Sequence, residues 1–143
     1  MILPDVNVLV YAARDDTPAC AHYREWLEAA LLGPEPVAIA SPVLAGFLRV
    51  VTNPRIFAQP SSLDDALRFI EAVLAAPAAV VPALSERLAG TLAEVCRRSG
   101  ATADRVPDAY LAAIAMDLDA DLVTADRGFA RYPSLRWRHP IAT

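Results

Sequence analysis

Met1-Ile2-Leu3-Pro4-Asp5-Val6-Asn7-Val8-Leu9-Val10-Tyr11-Ala12 sets one carboxylate, Asp5, inside an otherwise apolar run. A lone ionised acid is costly to bury unless a cation or hydrogen-bond donors compensate it, and no basic residue follows until Arg14. Two readings fit. Asp5 caps the helix that follows, where free N–H groups and the helix dipole favour an acid. Alternatively it is a metal ligand at the carboxyl end of a first parallel strand, where open α/β sheets build their sites. Residues 2 to 5 read as a short strand and Val6 to Ala13 as a helix despite their β-branched content. Pro4 lacks a ladder donor and belongs near the strand's end.

The same alternation continues outward. Thr17-Pro18 gives an N-cap with Pro at the first helical position, and Tyr23, Trp26, Leu27, Ala30 and Leu31 recur at helical spacing until Gly33-Pro34. Val37 to Ala40 reads as a strand, and Ser41-Pro42 opens a helix to about Thr52. Asn53-Pro54-Arg55 breaks the chain. Ser61 or Ser62 caps a helix with Asp64 and Asp65 in its first turn, ended by Pro77. Ala79 to Pro82 is a third strand, and Ser85-Glu86 opens a helix that stops at Gly100 after Arg97-Arg98. Pro107-Asp108 starts a helix through about Leu118, Leu122 to Thr124 is a fourth strand, and Arg136 to Arg138 a fifth, at an edge. Short strands alternating with helices imply a parallel sheet with crossover helices. The expectation is one three-layer α/β domain over residues 1–143.

Composition narrows the function. The chain has 143 residues, 55% hydrophobic and 21% charged, enough for a proper core. No apolar run approaches the length of a membrane span and no basic segment precedes an apolar one, so we expect a cytoplasmic protein without membrane attachment. Cys20 and Cys96 match no disulfide framework or zinc pattern, and Cys20 with His22 lie two residues apart, off one helical face. All 13 basic residues are arginine. The missing lysine excludes ordinary P-loop nucleotide binders, pyridoxal enzymes and phosphoacceptor receiver domains. The formal net charge of -4 does not advertise nucleic-acid binding, though it says nothing of local patches.

Three acids stand at equivalent places in such a sheet: Asp5 after the first strand, Asp108 in a helix's first turn, and Asp126 after Leu122-Val123-Thr124. Singly, Asp108 is an acid favoured by a helix N-terminus and Asp126 a turn former. If the first and fourth strands are neighbours, all three converge and repel one another unless a divalent cation lies between them. Hard oxygen ligands select Mg²⁺, with Mn²⁺ as substitute, and point to phosphodiester hydrolysis by an activated water. Asn7 and Thr124 are the neutral donors placed to orient those carboxylates.

Four blocks carry a family likeness: Asp5-Val-Asn-Val-Leu-Val-Tyr-Ala12, Phe47-Leu-Arg-Val-Val-Thr-Asn-Pro-Arg55, Asp108-Ala-Tyr-Leu-Ala-Ala-Ile-Ala115 and Leu122-Val-Thr-Ala-Asp-Arg-Gly-Phe-Ala-Arg-Tyr-Pro133. In this order they resemble the signature blocks of PIN-domain ribonucleases, specifically VapC-type toxins of bacterial toxin–antitoxin pairs. The resemblance implies a PIN-like three-layer α/β/α domain with four to five mostly parallel strands. It implies a Mg²⁺-dependent endoribonuclease, inhibited by a VapB-type antitoxin and forming a homodimer. Asp5 and Asp108 match the family's core metal ligands, and Asp126 matches the acid that completes the site. One departure stands out. The family usually carries a glutamate in the helix after the second strand, at the position that is Gly46 here. This leaves the number of metals open and motivates an alternative, a catalytically weak or inactive PIN-like module that binds RNA or protein. A DNA-directed nuclease is a weaker third reading. Asp104 is a possible substitute acid, or a cap.

Arg127, Arg131, Arg136, Arg138 and His139 gather near the C-terminus as candidate phosphate contacts, with Tyr132 or Trp137 as a stacking face. A solvated rim explains them equally well. Arg49 and Arg55 are weaker candidates. The helices around Trp26, Leu44, Phe47 and Leu67 are apolar enough to fill a core or to receive an antitoxin segment.

Overall fold

Leu3, Val37, Ala38, Leu122 and Val123 have no exposed surface, so the strands that carry them are covered on both faces. The computed structural model describes residues 1–141. Its order is β1 (Ile2–Pro4), α1 (Val6–Ala13), α2 (Cys20–Leu32), β2 (Val37–Ala38), α3 (Ser41–Val51), α4 (Leu63–Leu74), β3 (Ala79–Val80), α5 (Leu88–Ser99), α6 (Val106–Asp117), β4 (Asp121–Val123) and β5 (Trp137–Arg138). One 3-10 turn, Ala103–Arg105, leads into α6 and another, Arg127–Arg131, follows β4. The sheet runs β3-β2-β1-β4-β5 and every neighbouring pair is parallel. The expected three-layer α/β architecture is therefore present, with five strands.

The strand order places the functional end. After β1 the chain steps to β2 and β3 on one side, then returns through α5 and α6 to set β4 on the other. β1 and β4 thus flank the point where the order reverses, and the crevice beyond their carboxyl ends is where such sheets take ligands. Their register is Ile2 opposite Asp121, Leu3 opposite Leu122 and Pro4 opposite Val123. The Asp5 N–H extends the ladder to the Val123 carbonyl at 2.8 Å. Pro4 sits at the strand's last position, where a missing donor is tolerated.

Burial overrides local propensity in α1. Val8 and Val10 are poor helix formers, yet both are buried, and full burial of a valine is worth about 1.5–3 kcal/mol. Alanine dominates α6, whose Ala109, Ala112, Ala113 and Ala115 are entirely enclosed, so this helix lies close against its neighbours. α1 packs on α2 and α3, and α5 on α6. Phe47 of α3 stacks on Phe69 of α4 with centroids 5.0 Å apart.

Some local expectations change. Thr17 does not cap α2: Ala19 takes a left-handed φ of 56°, the helix begins at Cys20, and the Thr17 hydroxyl donates instead to the Arg14 and Tyr11 carbonyls. Ser85-Glu86 does not open α5, which begins at Leu88; Ser85 is drawn to Asp117, to which its hydroxyl donates at 2.6 Å. Ser62 does cap α4, accepting from the Asp65 N–H, and Gly100 ends α5 with a left-handed φ of 65°. Ser41 lies inside α3, whose cap is Ala40. Cys20 and Cys96 are both free thiols, half-buried.

Candidate active site

Asp5 caps α1, the first of the two tasks its sequence position allowed, and its second oxygen is held by neutral donors. Its Oδ1 accepts the Val6 N–H at 2.6 Å, which caps α1. Its Oδ2 accepts the Thr124 hydroxyl at 2.6 Å and the Asn7 side-chain amide at 2.7 Å. A carboxylate offers about four lone-pair positions, so three are used and the free capacity lies on Oδ1. The side chain is 8% exposed. Burial pushes the Asp5 carboxyl above the usual carboxylate range, the Thr124 and Val6 hydrogen bonds oppose this, and repulsion from Asp108 and Asp126 adds to it.

Asn7 and Thr124 join two strands' ends into one unit. Asn7 donates to the Thr124 hydroxyl at 3.1 Å and accepts the Ala125 N–H at 3.1 Å. Thr124, fully buried, also accepts the Asp126 N–H at 3.0 Å. Asp126 itself is exposed and forms the turn after β4, accepting the Gly128 N–H at 2.6 Å. A Cβ at Gly128 would come within 2.8 Å of Asp126 Oδ1, so glycine lets this turn close.

Asp108 reaches the site from the first turn of α6, after Pro107. It is half-buried. Burial and then Asp126 push its carboxyl up, while Arg131 pulls it down. Asp5 and Asp108 line a cleft of about 640 Å³ between α3 and α6, with Gly46, Arg49, Asp104 and Tyr110. The set is open: among the described residues no three of His, Cys, Asp and Glu stand close enough to hold one ion. By donor chemistry the acids suit a hard divalent cation. Mg²⁺ is commonly held by one or two carboxylates, keeping water and substrate phosphate as its other ligands, which an open set permits.

The candidate phosphate contacts divide by their partners. Arg136 pairs with Asp119 and Asp121 at 2.8 and 2.7 Å, and Arg138 meets Glu35 at 3.4 Å. Arg131 donates to the Gly128 carbonyl at 2.8 Å, and Arg127 is exposed on the same turn. His139 contacts the Tyr23 hydroxyl at 3.4 Å. Tyr132 is not a stacking face: it is 3% exposed and packs on Phe129, because the turn after β4 folds it inward. Among the described residues its hydroxyl has no hydrogen-bond partner.

Two tertiary features escaped the sequence. The backbone of Gly46 presses on Val6: a Cβ there would lie 2.7 Å from Val6 Cγ2. Arg49 shares the cleft with the acids. The Gly46 spacing in the helix hinted at the second of these, since i and i+3 share a helical face, but not at the first.

A family model described as PIN domain matches residues 2–135. Ribonuclease VapC43 of Mycobacterium tuberculosis is 45% identical over 141 residues, covering 99% of this chain and 96% of its own. Ribonuclease VapC25 of the same species is 40% identical over 140 residues, covering 98% of this chain and 99% of its own. Among solved structures, VapBC2 from Rickettsia felis bound to a promoter DNA fragment aligns with a TM-score of 0.72 at 22% identity, over 97% of this chain and 98% of the other. That likeness is one of fold.

Proposed function

The chain belongs to the PIN-domain family, and on that premise we propose that it is a VapC-type endoribonuclease, the toxin of a toxin–antitoxin pair, hydrolysing RNA phosphodiester bonds with a divalent cation. The observation that carries the chemistry is Asp5, nearly buried yet still lining the cleft that Asp108 enters from the other side. Relatives named ribonucleases across almost the whole chain support the substrate class.

Each residue's part follows from its contacts. Thr124 and Asn7 hold Asp5 Oδ2, so the carboxylate cannot rotate and offers Oδ1 to a ligand. Asp108 supplies a second carboxylate from α6, and Asp126 a third charge on the turn beside them. We take Asp5, Asp108 and Asp126 as the acids that would hold the cation, Mg²⁺ with Mn²⁺ able to replace it, no more than two of them directly and the remainder through its waters. When bound, that ion neutralises phosphate charge and activates water for in-line attack. The burial and repulsion that disfavour ionised Asp5 and Asp108 are what a cation relieves.

We further propose that residues 1–143 act as a single PIN domain, as a cytoplasmic homodimer, restrained by a VapB-type antitoxin. A groove of about 470 Å³ beside α2 and α4, lined by Leu27, Leu31, Phe69 and Val73, offers apolar surface to such a partner. Phe47 is core rather than groove, being 1% exposed. Among the described residues no helix is long and apolar enough to cross a membrane.

The test is cleavage of structured RNA by the purified protein with Mg²⁺. Cleavage lost in EDTA and in Asp5→Asn and Asp108→Asn is the expected result; equal cleavage by those variants overturns the reading. Gly46 and the open ligand set favour one second reading, a module that binds RNA or protein without cutting. Calorimetry distinguishes it, since such a module takes up no Mn²⁺ at millimolar concentration.

A further inference from the structure

The cleft that receives the acids also contains a cation. Arg49, in the last turn of α3, lines it with Asp5, Asp104 and Asp108. Among the described residues the hydrogen bonds and ion pairs engage other arginines: Arg131 at the Gly128 carbonyl, Arg136 at Asp119 and Asp121, Arg138 at Glu35, Arg14 at Asp16. The Arg49 guanidinium is exposed and makes none. A cation in a helix's last turn is favoured by the dipole wherever it points. That accounts for an arginine at this position but not for its place on the wall of an acidic cleft.

Charge gives the wall its meaning. Three carboxylates line this cleft, and a phosphodiester is repelled from it. One divalent cation offsets two of the acids, and Arg49 offsets the third. Its planar fork also takes two phosphate oxygens at once, which fixes orientation as well as attraction. Gly46 stands one turn before Arg49 and lines the same cleft without a side chain of its own, leaving Arg49 the cationic side chain that α3 brings to it.

We propose that Arg49 is a substrate-positioning residue, whose guanidinium holds a backbone phosphate of the RNA in the cleft between α3 and α6. This rests on the endoribonuclease reading. It also moves the main phosphate contact from the C-terminal arginines, none of which lines this cleft, to α3.

The experiment compares wild type, Arg49→Ala and Arg49→Lys on a labelled RNA, reading KM, kcat and the dependence of RNA affinity on salt. Arg49→Ala is expected to weaken RNA affinity about tenfold or more and to lower the salt slope by about one. Its melting temperature and the number of Mn²⁺ ions bound by calorimetry stay at the wild-type values, with Mn²⁺ affinity no weaker than wild type. Arg49→Lys regains the salt slope but only part of the affinity, because an ammonium lacks the fork. Wild-type cleavage with KM and salt slope unchanged in Arg49→Ala overturns the inference alone. A wild type that neither binds nor cuts RNA overturns the underlying reading, and the inference with it.

Discussion

The Thr124 hydroxyl donates to Asp5 Oδ2 at 2.6 Å, making one buried hydrogen bond the joint between the ends of β4 and β1. Thr124 Oγ1 also accepts from the Asp126 N–H and from the Asn7 amide, so it serves three partners. Thr124→Val is therefore expected to destabilise the fold by about 2–3 kcal/mol, the cost of leaving buried polar partners unmet. Chemical denaturation measures this. Thr124→Ser keeps the hydroxyl and should retain most of the stability and the cleavage.

Asp108 gives a pH prediction. Its folded pKa is raised, by burial first and Asp126 second, so the native state binds the proton more tightly than the unfolded chain. The associated stability is fully present below the unfolded carboxylate value of about 3.9 and is lost as pH rises through the higher folded value. Metal-free protein should thus lose stability across that window, and Asp108→Asn should flatten part of the loss while abolishing cleavage. Thermal melts in EDTA from acid to neutral pH check it; a decline as steep in the variant contradicts it.

Gly46 and Val6 form a pair whose substitution effects should change sign. Gly46→Ala gains up to about 1 kcal/mol in helix propensity but must displace the stiff Val6 side chain, at roughly 1–3 kcal/mol. A Cβ at 2.7 Å from Val6 Cγ2 makes the clash the larger effect, so the single variant is less stable. In a Val6→Ala background the same change becomes stabilising. A double-mutant cycle in urea reads both signs.

Arg14 is a buried cation with four of its five N–H donors engaged. It bonds Asp16 at 2.8 and 2.6 Å, Ser61 Oγ at 2.9 Å and the Gln59 carbonyl at 2.9 Å, and lies 3.8 Å above the Phe57 ring. Arg14→Ala should cost about 2–3 kcal/mol through charged hydrogen bonds and the cation–π contact. It should also expose residues 53–62 to proteolysis before the rest of the chain. Lysine should rescue little, lacking the planar fork.

How far the sequence revealed this molecule depends on the range of each signal. β1, β4 and the acids after them were legible because a short apolar run ending in Asp or Thr-Ala-Asp is a local pattern, and so were the Ser62 and Gly100 caps. Thr17 was misread because the left-handed turn at Ala19 is a conformation no neighbouring residue announces. The same holds for Ser85, captured by Asp117 from 32 residues away. That the acids form an open set, that Tyr132 turns inward and that Gly46 abuts Val6 are facts of tertiary distance. No spacing along the chain encodes them.

Thr124 and Asp5 are separated by 119 residues, and β4 pairs with β1, a strand synthesised well before it. A nascent chain that has emerged only to Ala120 carries Asp5 and Asp108 but lacks the hydroxyl that orients the first acid and the turn that bears Asp126. Synthesis runs from the N-terminus, so the site is completed only after β4 and the turn at Asp126 have been made. Order of synthesis thereby governs the site: the first carboxylate has its orienting donor only once β4 has followed it.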